Sequence, residues 1–524
     1  MLSKNNNYHP SFKQEPWSAM QMKNKSTLLF YLTALVLMFC TSCSNKLYTP
    51  LKKYSADQLR EDFDQMRKVM EDYHPSLYWY TPKDSMDMVF DKYRSAIKDS
   101  MTEQQFGFSI LAPVTTSIRC GHTSFNYSKN YNKFMRGIRL PSFPLFLKIW
   151  GDTMLVTANL NRKDTILKRG TQIYSIDGRT ASDLTSVMFR YLPTDGYSYN
   201  LNYLRLSSAF PYYHRNIFGL NKNYLIGYTD SSGNGYTTVP LFDPYGDTAI
   251  RKKTDQRPPL PKPKKPSKKE RREDGRSFQY DTLNNAGIMI ISTFEDGYKL
   301  NKFYRQSFKT MRKNNVGNLV IDIRSNGGGK VNHYTKLAKY LRKTPFKVAD
   351  TAFALHKGFG HYKKSFEGNF INGIALTIFT SKKKDGNYHF NYWENHVFKP
   401  KKKNFYSGRV YVLINGPTFS AATLFAHTMK GQDNVQLLGE EAGGGNYGNN
   451  GLMIPNIALP NTRMRVRIPL FRLVQSNPGP KDGRGVMPDV YIPPTSKAVR
   501  DFVDRKMQVA FELMQKQAST IPSH

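Results

Sequence analysis

The segment Val410–Gly431, VYVLINGPTFSAATLFAHTMKG, decides how the chain is read. Six residues suited to a buried strand, Val410 to Asn415, run into a Gly416-Pro417 turn. Ser420 follows, and then a stretch of helical character. A lone hydroxyl where a strand turns into a helix has two readings. Ser is a favoured N-cap, its oxygen accepting an otherwise orphaned N–H of the first turn. The same position can make a hydroxyl a nucleophile, because helix N-terminal N–H groups favour developing negative charge. The segment alone leaves both readings open, so the deciding parts must lie elsewhere.

Outward from this segment the pattern is one of strands alternating with helices. AGIMIISTF (286–294) reads as a buried strand, the stretch 299–315 as a helix, GNLVIDIR (317–324) as a strand that ends in SNGGG, and HYTKLAKYLRK (333–343) as a helix. A more irregular insertion is expected from Phe353 to Tyr406. NVQLLGE, GLMIPNIALP and TRMRVRIPLF supply further strands, and a final helix starts at Ser496. Alternation of this kind implies a partly parallel sheet with its sites at the strand C-terminal ends. Both SNGGG and NGPTFS stand at such ends. That coincidence is the first argument against a cap and nothing more.

Upstream, Tyr54 to Ser100 carries apolar residues at three- and four-residue spacing, with His74-Pro75 ending a first long helix; another helix spans about Thr102 to Thr116 and leads into SIRCGHTSF. From about Phe134 to Leu241 the texture changes to short strands and turns. A strand, Gly-Thr, Ile-Asp-Gly and then an amphipathic helix resemble a PDZ module, which adds an extended chain end to a sheet edge.

The chain has 524 residues, enough for two or three domains, and its 39% hydrophobic and 13% aromatic content supports real cores. Lys plus Arg number 77 against 40 acidic residues, a formal charge of +37. The excess is uneven: Arg251 to Arg276 holds 12 basic and 4 acidic residues and is Pro-rich, which fits a solvated linker. No zinc-ligand pairs, RNA-recognition signature or helix-turn-helix pattern accompanies the charge, so a specific nucleic-acid partner is not expected. Salt-sensitive adhesion of this linker to an anionic polymer is compatible with any other role.

The first segment is an address. From Met22, the expected start, Lys23 and Lys25 precede an apolar run, Leu28 to Phe39, too short to span a bilayer comfortably. Cys43 after Thr41-Ser42 resembles the lipidation site of a bacterial lipoprotein signal. With Cys40 removed and Cys43 lipidated or removed, Cys120 is the single cysteine left with a free thiol, so no internal disulfide is expected.

Serine attack on a carbonyl needs a base and donors for the oxyanion. Gly327, Gly328 and Gly329 offer backbone N–H groups free of side-chain bulk, and Ala421, directly after the serine, offers another. A phosphate cradle is a poor reading of the glycines, since Lys330 follows them directly. His427 is nearest in sequence but lies about 10 Å along the same helix at ~1.5 Å per residue, and reads as structural. His122, between Gly121 and Thr123, becomes the candidate base because the other parts need one. Glu440, Glu441, Asp482 and Asp489 are the acids considered for orienting it.

Together LVIDIRSNGGG (319–329), VYVLINGPTFSAA (410–422) and GVMPDV (485–490), with GHTS (121–124) upstream, resemble the tail-specific or C-terminal-processing serine peptidase family over about Tyr54 to Pro494. The resemblance implies a multidomain α+β protein. Its expected parts are a signal segment (1–43), a helical N-terminal domain (44–130), a PDZ-like domain (131–245) and a basic Pro-rich linker (246–280). An α/β peptidase core of ClpP/crotonase-like fold (281–496) and a C-terminal helix (497–524) follow. In that family the serine opening the helix is the nucleophile, which maps to Ser420, and Gly328 or Gly327 completes an oxyanion hole with Ala421. One branch uses a lysine some two dozen residues after the serine; here Gly445 stands near that place and GEEAGGGNYGNNGLM contains no lysine. The tricorn-like branch fits better, with His122 as base and Asp482 where the family usually has glutamate. No metal or organic cofactor is implied. The expectation is an exported, lipid-anchored peptidase of the bacterial envelope, periplasmic or surface-facing, acting on proteins or peptides. A non-catalytic peptide-binding lipoprotein on the same scaffold is the alternative.

Overall fold

The computed structural model describes residues 48–230, 233–244 and 266–518, and the fold lies in the unit Pro50–His524. The signal segment with Cys43, linker residues 246–265 and residues 519–524 lie outside the described residues. Among the described residues no helix is long and apolar enough to cross a membrane.

A six-stranded sheet forms the centre, in the order Arg276–Asp281, Ala286–Ile291, Asn318–Asp322, Arg409–Ile414, Val435–Gly439, Val490–Tyr491. The first pairing is antiparallel and the other four are parallel. Its inner strands are apolar almost throughout because both faces are covered. Helices Leu300–Lys313, Val331–Ala338 and Ala421–Met429 pack on one face. Ala510 and Met514 of the last helix, Arg505–Ala518, pack on the other with Tyr411 and Leu413. Asn318–Asp322 and Arg409–Ile414 are direct neighbours, Ile321 opposite Val412. Their C-terminal ends therefore deliver the glycine loop and the Ser420 turn side by side.

Three expectations change. The stretch expected as linker, 246–280, ends in structure: Lys268–Gly275 is a helix closed by a Ser267/Glu270 capping box, and Arg276–Asp281 is an edge strand. The insertion Phe353–Tyr406 is not irregular. It supplies Ser381–Lys382, Tyr388–His389 and the end of Ala349–Ala354 to a five-stranded sheet completed by Arg472–Gln475 and Gly448–Asn449.

Third, the N-terminal helices Ala56–Tyr73 and Lys83–Ser95 and the helical run Glu103–Ser117 do not hold a core of their own. Phe63, Met66, Val69 and Met70 share one apolar cluster with Ile457, Leu459, Met464 and Val466. Buried Asp62 accepts hydrogen bonds from the Asn461 N–H (2.7 Å), the Thr462 N–H (2.9 Å) and the Thr462 hydroxyl (2.5 Å). Ser124–Asn126 pairs with Arg465–Arg467. This shared core carries residues 120–123 to the central sheet.

Residues 145–240 form a separate antiparallel sheet around its own core. Asp177 (φ 48°) and Gly178 (φ 78°) make the tight turn of the Ile-Asp-Gly motif, and helix Ala181–Met188 follows, with a capping box at Thr180 and Asp183. Helix Asn200–Phe218 lies along the edge strand Leu145–Trp150, where the Ser207 hydroxyl accepts the Ile149 N–H at 2.8 Å. The fold class is mixed α/β with several sheets.

Candidate active site

The Ser420 turn is clamped from three directions. The Thr418 hydroxyl accepts the Asn415 N–H (3.0 Å) and donates to the Ile323 carbonyl (3.0 Å), and the Phe419 N–H donates to the Asn326 carbonyl (3.0 Å). Ser420 is thereby held at φ 54°, ψ −122°. That conformation is costly for a residue with a Cβ, and it persists only where the surroundings impose it. A sharp strand-to-helix turn of this kind lifts a hydroxyl clear of the helix it precedes. The Ser420 side chain makes no capping hydrogen bond. The cap reading therefore fails, and the hydroxyl is left for another use.

The glycine loop lies against this turn. A Cβ on Gly328 (φ +101°) would stand 2.7 Å from Ser420 Cβ and 3.0 Å from the Ala421 nitrogen, so only glycine fits. The Ala421 N–H is the first of its helix and has no intrahelical acceptor. The Gly328 N–H donates to Asn326 Oδ1 at 2.8 Å, while Asn326 Nδ2 donates to the Ile291 carbonyl at 3.0 Å. Gly327 is exposed at the loop's outer side.

His122 reaches the turn from the N-terminal helical region. Its ring centroid stands 4.6 Å from that of Phe419. A Cβ on Gly451 would meet Ser420 Oγ at 2.7 Å and His122 Nε2 at 2.9 Å, so both reactive atoms border one small space that Gly451 keeps open. His122 is 4% exposed, and neither ring nitrogen has a hydrogen-bond partner. Burial, helped by Arg467, Arg205 and His74, holds its pKa down at about 3, so the imidazole is neutral near pH 7.

A buried network fixes the backbone around it. The Ser76 N–H donates to His74 Nδ1 (3.2 Å), which leaves His74 Nε2 to donate to Thr123 Oγ1 (2.8 Å). The Thr123 hydroxyl and Asn450 Nδ2 (3.3 Å) converge on Cys120 Sγ, and the Ser76 hydroxyl donates to Asn450 Oδ1 (2.6 Å).

The carboxylate facing His122 is Asp195, not Asp482. Asp195 is 3% exposed, with Oδ1 3.9 Å from His122 Nδ1. It accepts the Gly121 N–H at 2.7 Å and the Gly445 N–H at 3.4 Å. Burial pushes its pKa up to about 6 against the pull of those donors. Asp482 is exposed and accepts the N–H of Arg484 two residues on. The other acids are engaged elsewhere: Glu440 with Lys506, Glu441 with Arg484 and the Gly485 N–H, Asp489 with the Leu437 N–H. Asp195 lies in YLPTDGYSYN (191–200), where an Asp-Gly pair reads as an ordinary turn. No local signal sets it apart, and Gly451 carried none either. His427, read as structural, bonds Asn446 Oδ1 and the Ser476 carbonyl through its two nitrogens.

Residues 285–492 match the family model described as peptidase family S41. Among solved structures, mature CPAF complexed with lactacystin is similar at a TM-score of 0.59 and 14% identity, covering 88% of this chain and 99% of that one. Another structure of mature CPAF gives 0.58 and 13%, covering 88% and 98%. The photosystem II D1 C-terminal processing protease gives 0.37 and 14%, covering 85% and 97%. At these identities the likeness to CPAF is one of fold. Comparison with curated proteins gives no match. The family match thus lies on the segment 285–492, the part of the chain that carries the glycine loop and Ser420.

Proposed function

We propose that the protein hydrolyses peptide bonds with Ser420 as nucleophile, His122 as base and Asp195 as the carboxylate behind the base. The observation that carries this reading is the strained Ser420, free of any capping bond, facing His122 Nε2 across Gly451. Ser420 Oγ attacks the substrate carbonyl while Nε2 takes its proton. The tetrahedral oxyanion is met by the Ala421 N–H and by the glycine loop, and collapse expels the amine with the proton returned from Nε2. Water then hydrolyses the acyl-enzyme by the same route. Because the Gly328 N–H is spent on Asn326 Oδ1, it joins the oxyanion hole only by sharing that bond or after a shift of the loop. Gly327 is the other donor within the loop. With Nε2 as the base the imidazole carries its proton on Nδ1, and Asp195 serves by accepting that N–H and steadying the imidazolium that forms, which requires the 3.9 Å gap to close.

The 131–245 unit is read as PDZ-like, holding an extended and often C-terminal piece of substrate. Its edge strand Leu145–Trp150 accepts a peptide only when Ser207 releases the Ile149 N–H. Export and lipidation at Cys43 place the enzyme on a bacterial membrane, facing the periplasm or the surface; incorporation of labelled fatty acid that survives Cys43→Ser would remove that part.

The test of the chemistry is labelling of the full chain with a fluorophosphonate probe. Wild type labels, Ser420→Ala does not, and His122→Ala falls by roughly 100-fold or more, the usual scale for losing a general base. Labelling that persists in Ser420→Ala overturns the assignment. A wild type that binds peptide without labelling or cleaving would be a binding protein.

A further inference from the structure

Cys120, His122 and Asp195 each present one ligand atom within 4.8 Å of the others, and all three residues are buried. A thiol, an imidazole and a carboxylate are the donor set that a borderline-soft divalent cation takes. His122 supplies a second and independent indication. It is 4% exposed, yet Nδ1, the nitrogen on the Asp195 side, has no partner, and 3.9 Å to Asp195 Oδ1 is too long for a hydrogen bond. A buried polar atom left bare calls for an explanation. The outer contacts are those that orient metal ligands: the Thr123 hydroxyl and Asn450 amide point at Cys120 Sγ, and the Gly121 and Gly445 N–H groups at the Asp195 carboxylate. Tetrahedral zinc, with bonds of about 2.0–2.3 Å, needs its ligand atoms about 3.5 Å apart, so modest side-chain rotations close the site.

We propose that Cys120 Sγ, His122 Nδ1 and an Asp195 oxygen bind Zn2+ and that this binding switches Ser420 off. The inference rests on the reading of His122 as the base for Ser420. Binding releases the Cys120 thiol proton to solvent, moves the imidazole proton from Nδ1 to Nε2 and forms the Zn–S and Zn–N bonds, with solvent in the fourth position. With the metal on Nδ1, a neutral imidazole carries its one proton on Nε2, which becomes a donor. It then has no lone pair for the Ser420 proton. Cys120 ceases to be an inert buried thiol and becomes the residue that makes the base controllable by metal. The pattern escapes a sequence search for zinc pairs because Asp195 joins Cys-Gly-His only through the tertiary fold.

The full chain, with Co2+ as spectroscopic probe and Zn2+ as effector, decides the matter. One Co2+ binds per chain with a near-ultraviolet thiolate-to-cobalt band, Zn2+ displaces it, and Cys120→Ser loses the band. Zn2+ lowers fluorophosphonate labelling of wild type by at least 10-fold, chelator restores it, and the ratio of labelling without and with Zn2+ falls to near one in Cys120→Ser. Absence of the thiolate band, or Zn2+ suppression that is equal in Cys120→Ser, overturns the proposal. Asp195→Asn serves in place of Cys120→Ser if that variant fails to fold, and must weaken Co2+ binding at least 10-fold. Absence of labelling in chelator sinks the serine assignment instead, while the cobalt band still judges the metal site.

Discussion

Gly451 stands so close to Ser420 that a Cβ on it would lie 2.7 Å from Ser420 Oγ. The same atom would lie 2.9 Å from His122 Nε2. Gly451→Ala therefore wedges a methyl group between nucleophile and base at a position whose backbone tolerates alanine. Since misplacement by about 1 Å costs roughly 100-fold, fluorophosphonate labelling should fall by that order. Stability should drop by no more than about 1–3 kcal/mol, the scale of local overpacking. Normal labelling of a folded Gly451→Ala would mean that the two side chains do not work across this gap.

The two acids separate cleanly. Asp195→Asn removes the carboxylate that faces His122 Nδ1 and should lower labelling by roughly 10²–10⁴-fold, as loss of an orienting acid does. Asp482→Asn alters an exposed turn and should leave labelling within about twofold. The reverse pattern would restore the assignment drawn from the GVMPDV motif.

Asp62→Ala tests the joint between the N-terminal helices and the hairpin that pairs with Ser124–Asn126. It leaves the buried Thr462 N–H and hydroxyl, and the half-buried Asn461 N–H, without the acceptor they share. A loss of roughly 2–4 kcal/mol in denaturant unfolding is expected. Labelling should fall as well, because His122 is held through that joint. Unchanged stability would show that the joint is carried by the apolar cluster alone.

Acid should unfold the protein through its buried imidazoles. Burial holds His74 at about 3 and His214 at about 4, the latter between Phe143, Phe210 and Tyr224, with Asp177 raising it slightly and Arg179 lowering it. Both are neutral in the fold and titrate near 6.5 in the unfolded chain. Their contribution is complete above pH 6.5 and is lost as pH falls from there toward their folded values. At pH 5 each has lost about 2 kcal/mol, at 1.36 kcal/mol per unit. The fall in melting temperature from pH 7.5 to pH 5 should be smaller in His214→Phe than in wild type. An equal fall would show that His214 does not drive the acid sensitivity.

Much of this could be read along the chain. The parallel strands, the glycine loop and the elbow at Ser420 declare themselves because burial on two faces demands apolar runs, and a positive φ beside a serine demands Gly328. His122 was reachable only by elimination and then by resemblance, since Gly-His-Thr by itself reads as a turn. Asp482 was placed by motif position and proved exposed. Asp195 gave no local sign.

The sequence by itself determined the sheet that presents Ser420 and the loop beside it, since strand, turn and helix patterns are set by neighbours a few residues apart. Only the tertiary structure decided what faces that serine. His122, Asp195 and Gly451 come from three distant segments, brought together by the apolar cluster shared between the N-terminal helices and residues 457–471 and by the turns that Asp195 and Asn450 hold. Such contacts follow from how whole surfaces bury one another, and no single stretch of chain records them.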